Sequence, residues 1–85
     1  MSYDLILGRQ AKKEIKTLDT STIKRIEVRF LQLSNNPFGP KISKAIKMSP
    51  GRRTSRVGDW RIIYEVHESE RIIEVVSIWP RGKAY

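Results

Sequence analysis

The sequence predicts an α+β domain in which two helices pack on one face of a mostly antiparallel, four-stranded sheet. Apolar residues alternate with polar ones at the start of the chain and again after residue 54, as they do in half-buried strands. Between these segments apolar residues recur every three or four positions, as in amphipathic helices. The chain has 85 residues, enough for one domain with a modest core, so we assign residues 1–85 to a single domain.

The first part of the chain predicts a strand and an antiparallel pair of helices. Alternation covers residues 3–8, and the strand ends at Gly8. The period then becomes helical, with an apolar face formed by Ala11, Ile15 and Leu18. A second helix follows the N-cap residues 19–22, and its buried stripe consists of Ile23, Ile26, Phe30 and Leu33. Because the link between the helices is very short, they should run antiparallel.

A loop and two strands are predicted next. Residues 35–51 contain five prolines and glycines and predict a loop-rich connection, with a short helical turn around residues 41–47. Strand signals begin at Thr54 and are interrupted by a turn at residues 58–59. The face that we assign to the core carries Trp60, Ile62, Tyr64 and Val66.

The chain closes with a hairpin. Residues 67–71 form a polar turn, and residues 71–80 form a last strand rich in β-branched side chains. A turn centred on Ser69 places Arg61 opposite about residue 77. The order of elements is therefore strand, helix, helix and three antiparallel strands.

Positive charge is the strongest bulk signal. There are 17 basic and nine acidic residues, which gives a net charge of +8 and a pI near 10.2. Seven cations lie between residues 41 and 61, namely Lys41, Lys44, Lys47, Arg52, Arg53, Arg56 and Arg61. Arg81 and Lys83 join them if the last two strands are neighbours. This patch suits phosphate and nucleic acid, but arginines at a strand edge also prevent aggregation, and both interpretations stay open.

Several classes are excluded by composition. Without cysteine and with one histidine, the chain has no disulfide framework and no structural zinc site, and we expect neither metal nor cofactor. No apolar run could span a membrane, and the acidic start does not resemble a signal peptide, so the expected compartment is the cytoplasm. His67 is expected to be a solvated turn residue, and Glu65 and Glu74 a solvent-facing pair.

Two stretches resemble a known family. They are "RVGDWRIIYEV" at residues 56–66 and "IIEVVSIWPRGKAY" at residues 72–85. The pattern is similar to the RelE/ParE superfamily of toxins from type II toxin–antitoxin modules, in which the second stretch ends with an arginine and a tyrosine. The matching residues are Arg56, Gly58, Trp60, Arg61, Tyr64, Arg81 and Tyr85. The order of elements also matches, so the resemblance covers nearly the whole chain.

The resemblance implies a toxin that an antitoxin neutralises, through an acidic segment and within a toxin–antitoxin hetero-oligomer. RelE-like members are ribosome-dependent endonucleases that cut mRNA in the ribosomal A site, whereas ParE-like members poison DNA gyrase. The ending with Arg81 and Tyr85 favours RelE, so we predict an mRNA interferase whose partners are the ribosome and mRNA. A gyrase inhibitor of the ParE type and a non-catalytic basic nucleic-acid-binding protein are the alternatives.

Arg61, Arg81 and Tyr85 are the catalytic candidates that the resemblance implies. In metal-free cleavage the ribose 2′-hydroxyl attacks the adjacent phosphorus, and the two arginines would neutralise charge on the phosphorane oxygens. Tyr85 would orient a base or carry a proton. The RNA-binding candidates are Arg52, Arg53, Arg56, Lys44 and Lys47.

Two positions depart from the family pattern. Thr54 stands where RelE has a lysine that is argued to be the general base, and Pro80 stands where relatives often have a histidine. Neither side chain can take that role, so no general base is assigned. Cleavage would then depend on positioning and charge stabilisation, with the ribosome supplying the geometry.

Overall fold

The computed structural model describes residues 2–80 as one sheet with two helices. The strands are β1 (Asp4–Leu7), β2 (Lys44–Ala45), β3 (Arg52–Val57), β4 (Trp60–His67) and β5 (Ile72–Pro80). The helices are α1 (Arg9–Ile15) and α2 (Thr20–Asn35), and a 3₁₀ turn at Glu68–Glu70 joins β4 to β5. The predicted α+β class is confirmed.

The sheet has five strands, one more than predicted, in the order β1-β5-β4-β3-β2. β1 runs parallel to β5, and the other neighbouring strands are antiparallel. The additional strand is β2, in which Lys44 pairs with Thr54 and Ala45 with Arg53. The helical turn predicted around residues 41–47 is therefore wrong, because this segment pairs with β3 and tertiary pairing overrides its helical propensity.

The start of α2 agrees with the predicted cap. Asp19 precedes the helix and accepts hydrogen bonds from Ser21 Oγ and Thr22 Oγ1, both at 2.5 Å. These hydrogen bonds lower the pKa of the Asp19 carboxyl to about 2. Neither helix in the described part of the chain is long and apolar enough to cross a membrane.

The core lies between the helices and one face of the sheet. Its buried members include Ala11, Ile26, Leu33, Ile62, Tyr64, Ile73 and Val75. Trp60 is partly buried against them, so the assignment of Trp60 and Tyr64 to the core face is confirmed. We call the opposite face, which carries Arg61 and Ile63, the open face.

α1 covers the edge of β5 where β1 ends. The backbone N–H of Gly8 donates to the carbonyl oxygen of Val75 at 2.8 Å. Further along, the Glu14 carboxylate accepts hydrogen bonds from the N–H of Ile78 at 2.7 Å and from Ser77 Oγ at 3.0 Å. A side chain thus replaces the missing strand partner, which satisfies an edge amide and fixes the end of β5.

β5 contains a β-bulge at Val76. The pair Ile63–Ser77 is followed directly by Tyr64–Val75, so Val76 has no partner on β4. This extra residue, together with the 3₁₀ turn, shifts the register. Arg61 therefore pairs with Trp79 instead of residue 77, and the two side chains are neighbours on the open face.

Candidate nucleic-acid interface

β3 divides its side chains between the two faces of the sheet. Arg29 of α2 donates from Nη1 to Ser55 Oγ at 2.8 Å, which places Ser55 on the helix face. Arg53, two residues earlier, shares that face. Thr54 and Arg56 therefore lie on the open face.

A cleft of about 260 Å³ lies at the edge of β3 beside β2. We call it the basic cleft, and it is lined by Arg29, Pro40, Lys41, Ile42, Ser43, Lys44, Thr54, Arg56 and Arg61. Five of these nine lining residues are cationic and none is acidic. A groove lined by one sign of charge concentrates the positive potential and attracts anions such as phosphate.

Arg56 and Arg61 oppose each other directly across the hairpin between β3 and β4. Each guanidinium presents a planar fork of donors that matches phosphate oxygens, so a phosphate between the two would form charge-assisted hydrogen bonds with both. The pair is thus well arranged to hold an anion.

Arg29 belongs to the basic cleft but was not among the predicted site residues. Its Nη1 donates to Ser55 Oγ and to the carbonyl oxygen of Arg56, both at 2.8 Å, and its Nε donates to Gln32 Oε1 at 2.7 Å. These bonds fix the guanidinium at the edge of β3. The sequence did contain a signal for Arg29. It lies three residues after Ile26, beside the buried stripe of α2, and a charged side chain in that position requires hydrogen-bond partners.

The structure brings three of the predicted site residues together in the basic cleft, namely Lys44, Arg56 and Arg61. Lys44 comes from β2, Arg56 from β3 and Arg61 from β4, so three neighbouring strands build this site. Arg81 and Tyr85 lie outside the described residues.

The other predicted RNA-binding residues lie elsewhere. Arg52 is on the open face, where its Nε forms an ion pair with Glu65 Oε2 at 2.9 Å. Arg53 is on the helix face, away from Arg52 and Arg56. Lys47 is exposed after β2 and is not part of the basic cleft.

A buried network supports one wall of the basic cleft. The Tyr64 hydroxyl donates to the carbonyl oxygen of Pro37 at 2.7 Å and shares a 2.5 Å hydrogen bond with Ser43 Oγ. Arg53 Nε donates to the same Ser43 oxygen at 2.7 Å, and its guanidinium lies 5.2 Å from the centre of the Phe38 ring. Burial raises the pKa of Tyr64, so the phenol keeps the proton that it donates. Because Ser43 lines the basic cleft, the network holds that wall in place.

A second cleft, of about 400 Å³, adjoins the first on the open face. We call it the apolar cleft, and it is lined by Gln10, Ile46, Ser49, Arg52, Ile63, Val76, Ser77 and Trp79. It lies next to the basic cleft because Trp79 is the cross-strand partner of Arg61.

Glu65, His67 and Glu74 form a group with metal-ligand spacing, their ligand atoms lying within 4.8 Å of one another. His67 Nε2 is 3.3 Å from Glu74 Oε1 and 3.9 Å from Glu65 Oε1, so His67 bridges two carboxylates and is more than a solvated turn residue. The Arg52 guanidinium already pairs with Glu65, and partly exposed acidic groups such as these are common without a metal ion. We therefore assign no metal to this group.

Solved structures with this fold include bacterial and archaeal toxins. The chain is 24% identical to one chain of the archaeal RelE–RelB complex from Pyrococcus horikoshii OT3, with a TM-score of 0.83 and coverage of 99% of this chain and 100% of that chain. The isolated E. coli RelE toxin is 15% identical to this chain, with a TM-score of 0.83 and coverage of 98% of this chain and 88% of that chain. YoeB from the Staphylococcus aureus dimer is 19% identical, with a TM-score of 0.77 and coverage of 100% of both chains. A comparison with curated protein sequences found no match.

The fold of this chain is thus the fold of the solved RelE toxins, as the sequence predicts. The family model described as the ParE toxin of the type II toxin–antitoxin system parDE matches residues 5–85. Since this match covers nearly the whole chain, the protein belongs to the ParE toxin family of type II toxin–antitoxin systems, within the RelE/ParE superfamily.

Proposed function

We propose that this toxin is a ribosome-dependent mRNA endonuclease whose basic cleft binds the phosphate that is cut. The observation that carries the proposal is the direct opposition of Arg56 and Arg61 in a cleft whose lining residues include no acid. Solved RelE toxins share this fold, so the scaffold is compatible with the proposed function. In this proposal mRNA is the substrate, the ribosome presents it, and neither metal nor cofactor takes part.

The arginines would stabilise the charge that develops during cleavage. The ribose 2′-hydroxyl releases its proton to solvent water as its oxygen attacks the adjacent phosphorus, and the bond to the 5′-oxygen breaks, leaving a 2′,3′-cyclic phosphate and a 5′-hydroxyl. Negative charge builds on the non-bridging oxygens, where Arg56 and Arg61 donate hydrogen bonds. Arg81 and Tyr85 keep the roles that the resemblance implies, as a phosphate contact and as a residue that orients a base.

We assign proton transfer to Lys44. Arginine holds its proton too tightly to protonate the leaving 5′-oxygen, whereas an ammonium can do so. Lys44 is the cross-strand partner of Thr54, and both line the basic cleft. Directly opposed residues have Cβ atoms about 5 Å apart on the same face, so the Lys44 and Thr54 side chains start side by side on the open face. A lysine on the neighbouring strand thus supplies the amine that position 54 lacks.

Replacing Lys44 with Ala is expected to lower the cleavage rate on ribosomes about 100-fold, because the leaving oxygen loses its acid. Lys44→Arg keeps the positive charge but has no readily transferable proton, so it should stay slow. The measurement is single-turnover cleavage of ribosome-bound mRNA across a range of pH. Lys47→Ala is the matched control, since Lys47 is exposed outside the cleft and its loss should change little. Full activity of Lys44→Arg would contradict the assignment.

We also infer an antitoxin as the partner of this chain. Four of the similar structures are complexes of a RelE-type toxin with its antitoxin or with an antitoxin peptide. The net charge of +8 suits an acidic antitoxin segment, which would form a hetero-oligomer with the toxin.

A second candidate function is inhibition of DNA gyrase. The matching family model favours this function, because it is the model of the ParE toxin. Thr54 also favours it, because RelE has a lysine at that position. In that case the basic cleft would bind without catalysing, and the activity would not depend on Lys44.

Induced expression in bacterial cells separates the two functions. Total RNA is sequenced for new 5′-hydroxyl ends, and chromosomal DNA is assayed for covalently trapped gyrase. We expect new ends inside coding regions, phased with the codons, and none when the Arg61→Ala variant is expressed. Trapped gyrase without new RNA ends would favour the second candidate and contradict the first.

A further inference from the structure

The lining of the apolar cleft suits a flat organic ring. Its walls include Ile46, Ile63, Val76 and Trp79, and polar groups from Gln10, Ser49 and Arg52 surround them. Gln10 is held in place because its Nε2 donates to Glu14 Oε2 at 3.1 Å. The cleft therefore offers an aromatic surface with hydrogen-bonding groups at its rim, which is the arrangement that holds an unpaired base.

The bulge in β5 builds this cleft. Val76 and Ser77 are consecutive in sequence, yet both line it, which the alternation of a regular strand would not allow. Bulges of this kind redirect a side chain and are frequent beside functional sites. Here the extra residue widens the apolar surface next to Trp79.

The apolar cleft lies about one nucleotide away from the basic cleft. Arg61 lines the basic cleft and Ile63 the apolar one, and two residues along a strand span about 7 Å. Trp79 is also the direct cross-strand partner of Arg61. A phosphate held by Arg61 would thus bring an adjoining base within reach of the indole.

We propose that the apolar cleft binds one unpaired RNA base next to the phosphate in the basic cleft, with Trp79 as the stacking platform. The proposal rests on the proposed function, in that RNA is the ligand of the adjacent cleft. The cations Arg56 and Arg61 of the adjoining basic cleft favour a nucleotide over an apolar protein side chain, because they match its phosphate. Trp79 would set which bases are accepted beside the cut.

The two tryptophans of the chain allow a test without the ribosome. Trp79 lies on the open face, and Trp60 packs against the core on the opposite face. Each indole N–H gives one signal in a ¹⁵N-resolved NMR spectrum, and the variants Trp60→Phe and Trp79→Phe assign them. The full chain is titrated with adenosine monophosphate and with uridine monophosphate. Ribose 5-phosphate, which lacks a base, is the control probe.

We expect the Trp79 signal to shift saturably with the nucleotides and not with ribose 5-phosphate, while the Trp60 signal stays in place. Trp79→Ala should raise the nucleotide dissociation constant roughly 5- to 150-fold, the range typical of loss of one stacked base, with Trp79→Phe retaining much of the affinity. The proposal would be overturned if the Trp79 chemical shift did not change with nucleotide, or if ribose 5-phosphate changed it as much as the nucleotides do. If an acidic antitoxin peptide moved Trp79 and nucleotides did not, the cleft would belong to a protein partner instead.

The subsite and the nuclease can fail separately. Nucleotide-dependent shifts of Trp79 in a protein that cuts no mRNA would support the subsite and contradict the proposed function. If the protein cleaves mRNA but nucleotides leave the Trp79 signal unchanged, the proposed function is supported and the base subsite is overturned.

Discussion

Replacing Arg61 with Ala is expected to slow mRNA cleavage on ribosomes by about 100- to 1,000-fold, the usual effect of removing one donor that stabilises charge in a transition state. Arg61 faces Arg56 across two strands, and both line a cleft with five cations. Removing the Arg61 guanidinium takes away one of the two opposed donors that stabilise the phosphorane oxygens. Arg61→Lys keeps the charge but loses the planar fork, so it should recover only part of the rate.

The control for Arg61→Ala is Arg9→Ala. Arg9 is an exposed arginine at the start of α1 that lines neither cleft, so its removal changes the net charge equally without touching the site. Single-turnover rates on purified ribosomes and thermal unfolding should be measured for both variants. An unchanged rate in Arg61→Ala would contradict the assignment, as would an equal loss in Arg9→Ala.

Replacing Tyr64 is expected to produce the largest loss of stability. Its side chain is fully buried, and its hydroxyl donates to the carbonyl oxygen of Pro37 and bonds to Ser43 Oγ. Tyr64→Phe leaves those partners buried with one hydrogen bond fewer, which should lower the free energy of unfolding by about 1–3 kcal/mol. Tyr64→Ala adds a cavity and should cost about 3–5 kcal/mol, much of the stability of a small domain.

Urea unfolding measures this effect, with Tyr3→Phe as the control. Tyr3 is also largely buried, but its hydroxyl bonds to the exposed side chain of Glu68, which water can solvate after the change. The loss should therefore be below about 1 kcal/mol. Equal losses for Tyr3→Phe and Tyr64→Phe would show that the buried network around Ser43 contributes no special stability.

The types of the long elements were predictable because local spacing determines them. Alternation around Ile62 and Tyr64 predicts that both side chains lie in the core, as they do. The helical period of α2 predicts the same for Ile26 and Leu33, which are also buried there. The strand β2 was missed because two residues carry no period, and its existence depends on pairing with the distant β3.

The site was predictable in composition and less so in arrangement. The run of cations indicated Lys44, Arg56 and Arg61, which meet in one cleft. Strand signals in the sequence begin only at Thr54, which leaves Arg53 in the cationic loop before the strand. In the structure β3 begins at Arg52, so alternation places Arg53 on the helix face. The bulge at Val76 leaves no pattern in the sequence, so the pairing of Arg61 with Trp79 instead of residue 77 could not be foreseen.

The position of the cut on a ribosome-bound mRNA tests the central claim most directly. Purified ribosomes are stalled with a defined codon in the A site, the toxin is added, and the new 5′ end is mapped; the stall is then moved by one codon on the same mRNA. We predict a cut within the A-site codon that moves by one codon with the stall and disappears without ribosomes. No cut, or a cut that stays at one sequence regardless of the ribosome, would contradict the proposed function.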